Sequence, residues 1–219
     1  SQTESSPREL SSSSETTPVP TTAEENGLIV VAPAGVDNAW NDEDPPGDGL
    51  PDDVGFIDAL VTEIKTAYPS LPSHQVFAYG LSNGGGLATR LACESSLIRG
   101  VGVIGNYYAP PLGDCPRRVG HPVPGWFGAG LEDYVVPVES VRETMQSYVT
   151  DLTECPTTGS LQPTESADMT SDVVCKQVPD CDMVRLCEYD DYGHEMLPGS
   201  LLAAWSFLSE AVGSSADEG

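Results

Sequence analysis

The sequence predicts an α/β domain, a mostly parallel sheet covered by helices on both faces. Three observations carry that prediction. Short apolar runs alternate with segments whose apolar residues recur at helical spacing. Several of the runs are continuously apolar, as strands buried on both faces require. One run passes into a helix-spaced segment through a glycine-rich turn, and helices that serve as crossovers make neighbouring strands parallel.

In chain order, residues 1–26 are mainly Ser, Thr, Pro and Glu and predict a disordered polar arm. LIVVAPAG, Leu28 to Gly35, is an apolar run closed by turn residues and reads as a buried strand. Residues 41–51, NDEDPPGDGLP, read as loop. Asp52 or Asp53 can cap a helix in which Val54, Ile57, Val61, Ile64 and Tyr68 recur at three and four. Phe56 and Leu60 widen its apolar face, and Pro69 ends it. A strand from Gln75 to Tyr79 leads through the glycine-rich turn into a helix from Asn83 to Ser95. Gly100 to Tyr108 and Val123 to Gly130 read as two further strands. A helix follows from Pro137 to Leu152, with Val138, Val141, Met145 and Val149 on one face. Residues 153–182 are polar, Pro-rich and cysteine-bearing and read as an excursion from the domain. Met183 to Tyr189 is the last strand, and Leu201 to Leu208 lies in a terminal helix. The domain thus runs over 27–213, with 214–219 as an acidic tail.

The 219 residues, 39% of them hydrophobic, suffice for one domain with a core. Nine Lys and Arg against 34 Asp and Glu give a formal charge of −25, which repels phosphate backbones and anionic lipid. Nucleic acid and membrane surfaces are therefore not expected partners. No stretch approaches the roughly 18 apolar residues of a membrane-spanning helix, and SQTESSPREL has no signal-peptide pattern. Cys93, Cys115, Cys155, Cys175, Cys181 and Cys187 lack CxxC or Cys/His metal spacing, so no metal site is expected. Disulfides formed in an oxidising compartment are the better account, and they point to secretion. Six cysteines allow 15 pairings.

Gly80-Leu81-Ser82-Asn83-Gly84 is a G-x-S-x-G between a predicted strand and a predicted helix. A serine in a sharp strand-to-helix turn needs neighbours without side chains, because the two elements pass closely. The turn would raise Ser82 above the sheet at a helix N-terminus, where free N–H groups and the macrodipole favour a developing oxyanion. The backbone N–H of Asn83 is the expected first donor. Glycine-rich turns in this context also bind phosphates or simply pack closely.

A nucleophilic serine needs a general base, and the base needs a carboxylate to hold its tautomer. The turn resembles the nucleophile turn of α/β-hydrolases, and that resemblance implies the order Ser, acid, His, with the acid after the second strand beyond the serine and the His after the last strand. The first carboxylates after the second strand beyond Ser82 are Glu132 and Asp133, of which Asp133 has the shorter reach. His194 follows the last strand in a Gly-containing loop, DDYGHEMLPG. His74 precedes the nucleophile strand and His121 lies in a proline loop, so both read as surface or structural. Asp114, Asp190 and Asp191 have the wrong topological place.

LIVVAPAG, WNDEDPPGDGLPDDVGFIDAL, VFAYGLSNGGGLATRLACE, DYVVP and CEYDDYGHEMLPG together resemble the secreted polyhydroxybutyrate depolymerase and feruloyl esterase group of α/β-hydrolases. The resemblance runs from Leu28 to the terminal helix, and the SNGG turn followed by RLACE is its most specific part. It implies the α/β-hydrolase fold, a Ser82, Asp133 and His194 triad, no cofactor, and ester substrates that are polyester or feruloylated plant polysaccharide. It also implies a Cys93–Cys115 bridge across one strand. Trp40, Tyr107, Tyr108, Tyr134 and Tyr192 are candidates to line a site for an aromatic acyl group, with Trp40 and Tyr134 foremost.

Three departures stand out. Ala129-Gly130-Leu131 replaces the family's His-Gly-Thr, and His194-Glu195-Met196 replaces its His-Trp-Pro. The family's earlier strand, which ends in His-Gly and supplies the second oxyanion donor, has no counterpart in residues 1–27. The expectation is a sheet lacking N-terminal strands, with a gap between residues 28–32 and the nucleophile strand and with the second donor missing. The leading reading is a secreted serine ester hydrolase. A catalytically impaired polysaccharide- or polymer-binding relative is the alternative, and acyl transfer to an alcohol is a third.

Overall fold

A computed structural model describes residues 23, 26–42, 49–72, 75–106, 115, 122–156, 160–164 and 172–216. The chain divides into two units, Ser1–Ala32 and Pro33–Gly219. In the first, the Leu28 N–H donates to the Ala23 carbonyl at 2.8 Å. The expected polar arm, apart from Ala23 and Asn26, lies outside the described residues. The expected strand from Leu28 to Gly35 is not one. No strand includes these residues, and Ile29, Val30 and Val31 are 48%, 43% and 45% exposed. Continuous hydrophobicity marks a segment that can be buried, but a strand also needs a neighbour to pair its N–H and C=O groups.

Among its described residues the second unit has six strands: β1 (Phe77–Leu81), β2 (Gly100–Ile104), β3 (Gly125–Gly130), β4 (Gln162–Pro163), β5 (Val173–Gln177) and β6 (Val184–Tyr189). Their order across the sheet is β1-β2-β3-β6-β5-β4. β1, β2, β3 and β6 are parallel, whereas β5 runs antiparallel to β6 and β4 antiparallel to β5. β1 begins two residues later than expected, and β2 ends at Ile104; Tyr107 and Tyr108 lie outside the described residues. Residues 153–182 are not an excursion, because β4 and β5 lie within them and extend the sheet. β5 has partly exposed positions on both faces, and that is why its polar surroundings mask it in the sequence.

Among the described residues, α1 (Asp53–Ala67) packs against α2 (Asn83–Glu94), and α2, α3 (Val138–Leu152) and α4 (Ser200–Ala216) cover the sheet. Asp52 caps α1, its Oδ1 accepting the Gly55 N–H at 2.9 Å. The two-residue period of the strands sorts side chains between two cores. Val101, Val103 and Phe127 pack with Leu87 and Leu91 of α2 and with Val141, Met145 and Tyr148 of α3. Ile104, Trp126 and Tyr189 pack on the opposite face with Ala204, Phe207 and Leu208 of α4. Gly102 makes that second face close-fitting, since a Cβ there would overlap the Tyr79 ring and lie 3.2 Å from Ala204.

Three disulfides join Cys93–Cys115, Cys155–Cys181 and Cys175–Cys187 among the described residues, including the bridge that the resemblance implied. Cys175 and Cys187 face each other across β5 and β6. Next to them Glu188, 5% exposed, accepts from Arg142 Nε at 2.8 Å and lies 2.5 Å from Lys176 Nζ. One buried carboxylate thereby ties α3, β5 and β6 together, and its charge is matched by two cations.

Candidate active site

Ser82 occupies the turn between β1 and α2 with φ 56° and ψ −124°, a backbone conformation that costs a non-glycine residue about 1–3 kcal/mol. Its surroundings hold it there. The Ser82 N–H donates to the Ile104 carbonyl at 2.9 Å, and the Ser82 carbonyl accepts from the Gly86 N–H at 3.0 Å and from Asn106 Nδ2 at 3.2 Å. Gly80 is required by contact, because a Cβ on it would overlap the Gly84 carbonyl. Backbone cannot swing aside as a side chain can. Gly80→Ala is therefore expected to destabilise the protein by about 3 kcal/mol, lowering the thermal midpoint by about 6–12 °C. Calorimetry that finds an unchanged midpoint would show that the turn does not need this close passage.

Asp133 follows β3 and is buried, whereas its neighbour Glu132 is exposed. Asp133 Oδ1 accepts the N–H groups of Val135 at 2.8 Å and Val136 at 2.7 Å. Its other oxygen, Oδ2, lies 2.7 Å from His194 Nδ1. A carboxylate can only accept, so across this contact His194 Nδ1–H donates. Nε2 is then left with its lone pair free to take a proton.

The loops that carry the two residues are stitched together. Leu131 N–H donates to the Tyr189 carbonyl and Glu132 N–H to the Tyr192 carbonyl, each at 2.9 Å. Gly130 permits this closeness, since a Cβ there would overlap the Tyr192 carbonyl. At the end of β2, Gly105 has φ +50°, and its Cβ position would lie 3.1 Å from His194 Nδ1 and 3.3 Å from Asp133 Oδ2. The Ile104–Gly105 pair thus touches Ser82 through one residue and the His–Asp pair through the other. All these groups sit beyond the C-terminal ends of parallel strands, where such sheets bind ligands.

The remaining candidates divide. The Asn83 side chain is hydrogen-bonded to the Trp40 backbone, and the Trp40 ring lies against Phe56 with centroids 6.4 Å apart. Tyr134, beside Asp133, is 90% exposed. Tyr192 meets Tyr189 edge-on. His74, Tyr107, Tyr108, Asp114 and His121 lie outside the described residues. Sequence reasoning missed Asn106, 3% exposed, which holds the Ser82 carbonyl, and it missed Asp42, which accepts from Asn83 Nδ2. Asn106 follows a strand end directly, a position that could have flagged it, but Asp42 is hidden in a stretch that reads as loop. Burial pushes the Tyr79 hydroxyl well above its ordinary pKa; it pairs with Ser200 under the sheet and has no part in the site. Among the described residues no group of three or more His, Cys, Asp or Glu is placed to hold a metal ion, and no helix is long and apolar enough to cross a membrane.

A solved structure shares this architecture. Acetyl xylan esterase from Aspergillus awamori superposes with a TM-score of 0.67 at 14% identity, over 88% of this chain and 82% of that one. The chain has the α/β-hydrolase fold. Esterase PE8 matches with a TM-score of 0.48 at 15% identity over 71% of this chain. SOBER1 of Arabidopsis thaliana matches with a TM-score of 0.48 at 14% identity over 72%. The chain spans 59% and 61% of the lengths of those two proteins. No protein-family model and no curated protein matches the chain.

Proposed function

We propose that this chain is a secreted serine carboxylic-ester hydrolase, with Ser82 as nucleophile, His194 as base and Asp133 as the acid that orients it. One observation carries the reading. A buried carboxylate holds a partly exposed imidazole at the strand end that also anchors a strained serine turn. Ser82 Oγ attacks the ester carbonyl carbon while His194 Nε2 takes its proton, and the carbonyl oxygen gains the charge. The Asn83 N–H, at the positive end of α2, stabilises that oxyanion. Collapse expels the alkoxide, which takes the proton back from His194, and leaves Ser82 acylated. Water then attacks the acyl carbon, gives its proton to His194, and releases the carboxylic acid as Ser82 is restored. No cofactor enters these steps.

The substrate is an acyl ester on plant cell-wall polysaccharide, feruloyl or acetyl, or else a polyester. The sequence resemblance supports the feruloyl and polyester members of that set, and the likeness in fold to an acetyl xylan esterase supports the acetyl one. The three disulfides support secretion. A serine-directed organophosphonate should label Ser82, and His194→Ala should abolish labelling. Parallel assays on p-nitrophenyl acetate, methyl ferulate and polyhydroxybutyrate then separate the substrate classes. Labelling at a different serine, or labelling that persists without His194, would refute the triad.

A further inference from the structure

Residues 40–42 belong to no helix or strand, yet side chains from two helices hold their backbone. Asn83, the first residue of α2, does most of this. Its Oδ1 accepts the Trp40 N–H at 2.7 Å, and its Nδ2 donates to the Trp40 carbonyl at 2.9 Å and to Asp42 Oδ1 at 2.7 Å. Both Nδ2 hydrogens are thereby used. Turning the amide over would set a donor against the Trp40 N–H and an oxygen against two acceptors, so its orientation is fixed. Asn41 is gripped in the same way. Its N–H donates to Asp53 Oδ2 at 2.6 Å, and its carbonyl accepts from Arg90 Nη1 at 2.9 Å. Asp53 and Arg90 are both buried. Asp42 also presses on the first turn of α2, since a Cβ on Gly86 would overlap its carboxylate.

The opening N–H groups of a helix have no carbonyl four residues back to hold them in direction. The peptide of residue 83 is moreover joined to a strained Ser82. We propose that the Asn83 side chain is a positioning device for its own backbone N–H. Clamped between the Trp40 backbone and Asp42, it fixes the direction in which that N–H meets the oxyanion of a bound ester. This inference rests on the ester-hydrolase reading above and deepens it. The amide does not touch the reacting atoms, and Asn83→Ala keeps the backbone donor while releasing the clamp.

The test is the oxygen-to-sulfur rate ratio on p-nitrophenyl acetate and its thiono analogue, since a thiolate sulfur accepts hydrogen bonds poorly and gains little from the donor. Losing an oxyanion donor outright costs about 10²–10³ in kcat. Misdirecting one is expected to lower kcat for the oxygen ester about 10-fold, with KM within about twofold. The thiono ester should slow by no more than about twofold, so that the ratio falls several-fold. Asn83→Asp keeps the bulk and the acceptor toward the Trp40 N–H but sets an oxygen against two acceptors. It should show the same fall, and it decides the matter if the alanine variant does not fold. Equal loss on both esters in a folded variant would overturn the proposal in favour of a merely structural clamp, and unchanged kcat would overturn it outright. A wild-type protein that does not hydrolyse p-nitrophenyl acetate, or does so equally well after Ser82→Ala, would remove the ester-hydrolase reading itself, which is a different failure.

Discussion

Asp133→Asn should lower kcat for p-nitrophenyl acetate by about 10⁴-fold, less than the loss of about 10⁶-fold expected of Ser82→Ala, although aspartate and asparagine have almost the same shape. The reason lies in the backbone around the acid. Val135 and Val136 both donate to Oδ1, so an asparagine would place its carbonyl oxygen there and turn its amide nitrogen toward His194. The imidazole would then meet a donor at Nδ1, accept from it, and carry its proton on Nε2. In that tautomer it cannot take the serine proton. Thermal stability should change far less than activity, because the same bonds to Val135 and Val136 can still form. A loss below about 10-fold would show that Asp133 does not govern the base.

Reduction of the disulfides should unfold the domain under conditions in which the oxidised protein is stable. The bridges span 22, 26 and 12 residues, and each restricts the unfolded chain by about 3 kcal/mol in the loop-entropy account. Cys155–Cys181 and Cys175–Cys187 interleave along the chain, so their contributions overlap. Even so, three bridges together approach the whole stability of an ordinary domain, about 5–15 kcal/mol. Circular dichroism at 37 °C with and without a strong reductant, followed by thiol counting, checks this. A reduced protein that keeps its near-ultraviolet signal would show that the cores alone suffice.

Local signals made much of the fold legible. The caps, the 3.6-residue spacing of Val54, Ile57 and Val61, and the G-x-S-x-G turn each depend on residues close in sequence, and α1, α2, α3 and β6 lie where those signals point. The order of elements also singled out Asp133 and His194, which are hydrogen-bonded. What stayed hidden depends on partners far along the chain. Leu28 to Gly35 has the composition of a strand but forms none among the described residues. Val173–Gln177 has a modest composition yet becomes a strand, because β6 pairs with it and Cys187 fixes it there. The grip of Asn83 on Trp40 crosses 43 residues and links a side chain to a backbone, a relation that no periodicity encodes.

The position of β3 in the sheet has a consequence in time. β3 lies between β2, already made when β3 emerges from the ribosome, and β6, which follows roughly fifty residues later; at 5–20 residues per second that is a wait of about 3–10 s. During that interval Trp126 and Phe127, both fully buried at the end, belong to a strand with one open side. Half of β3 is glycine, at Gly125, Gly128 and Gly130, and glycine is a poor strand former. The residues that let Tyr148 and the Tyr192 carbonyl come close in the finished protein therefore also make β3 a weak template for a foreign strand while it waits.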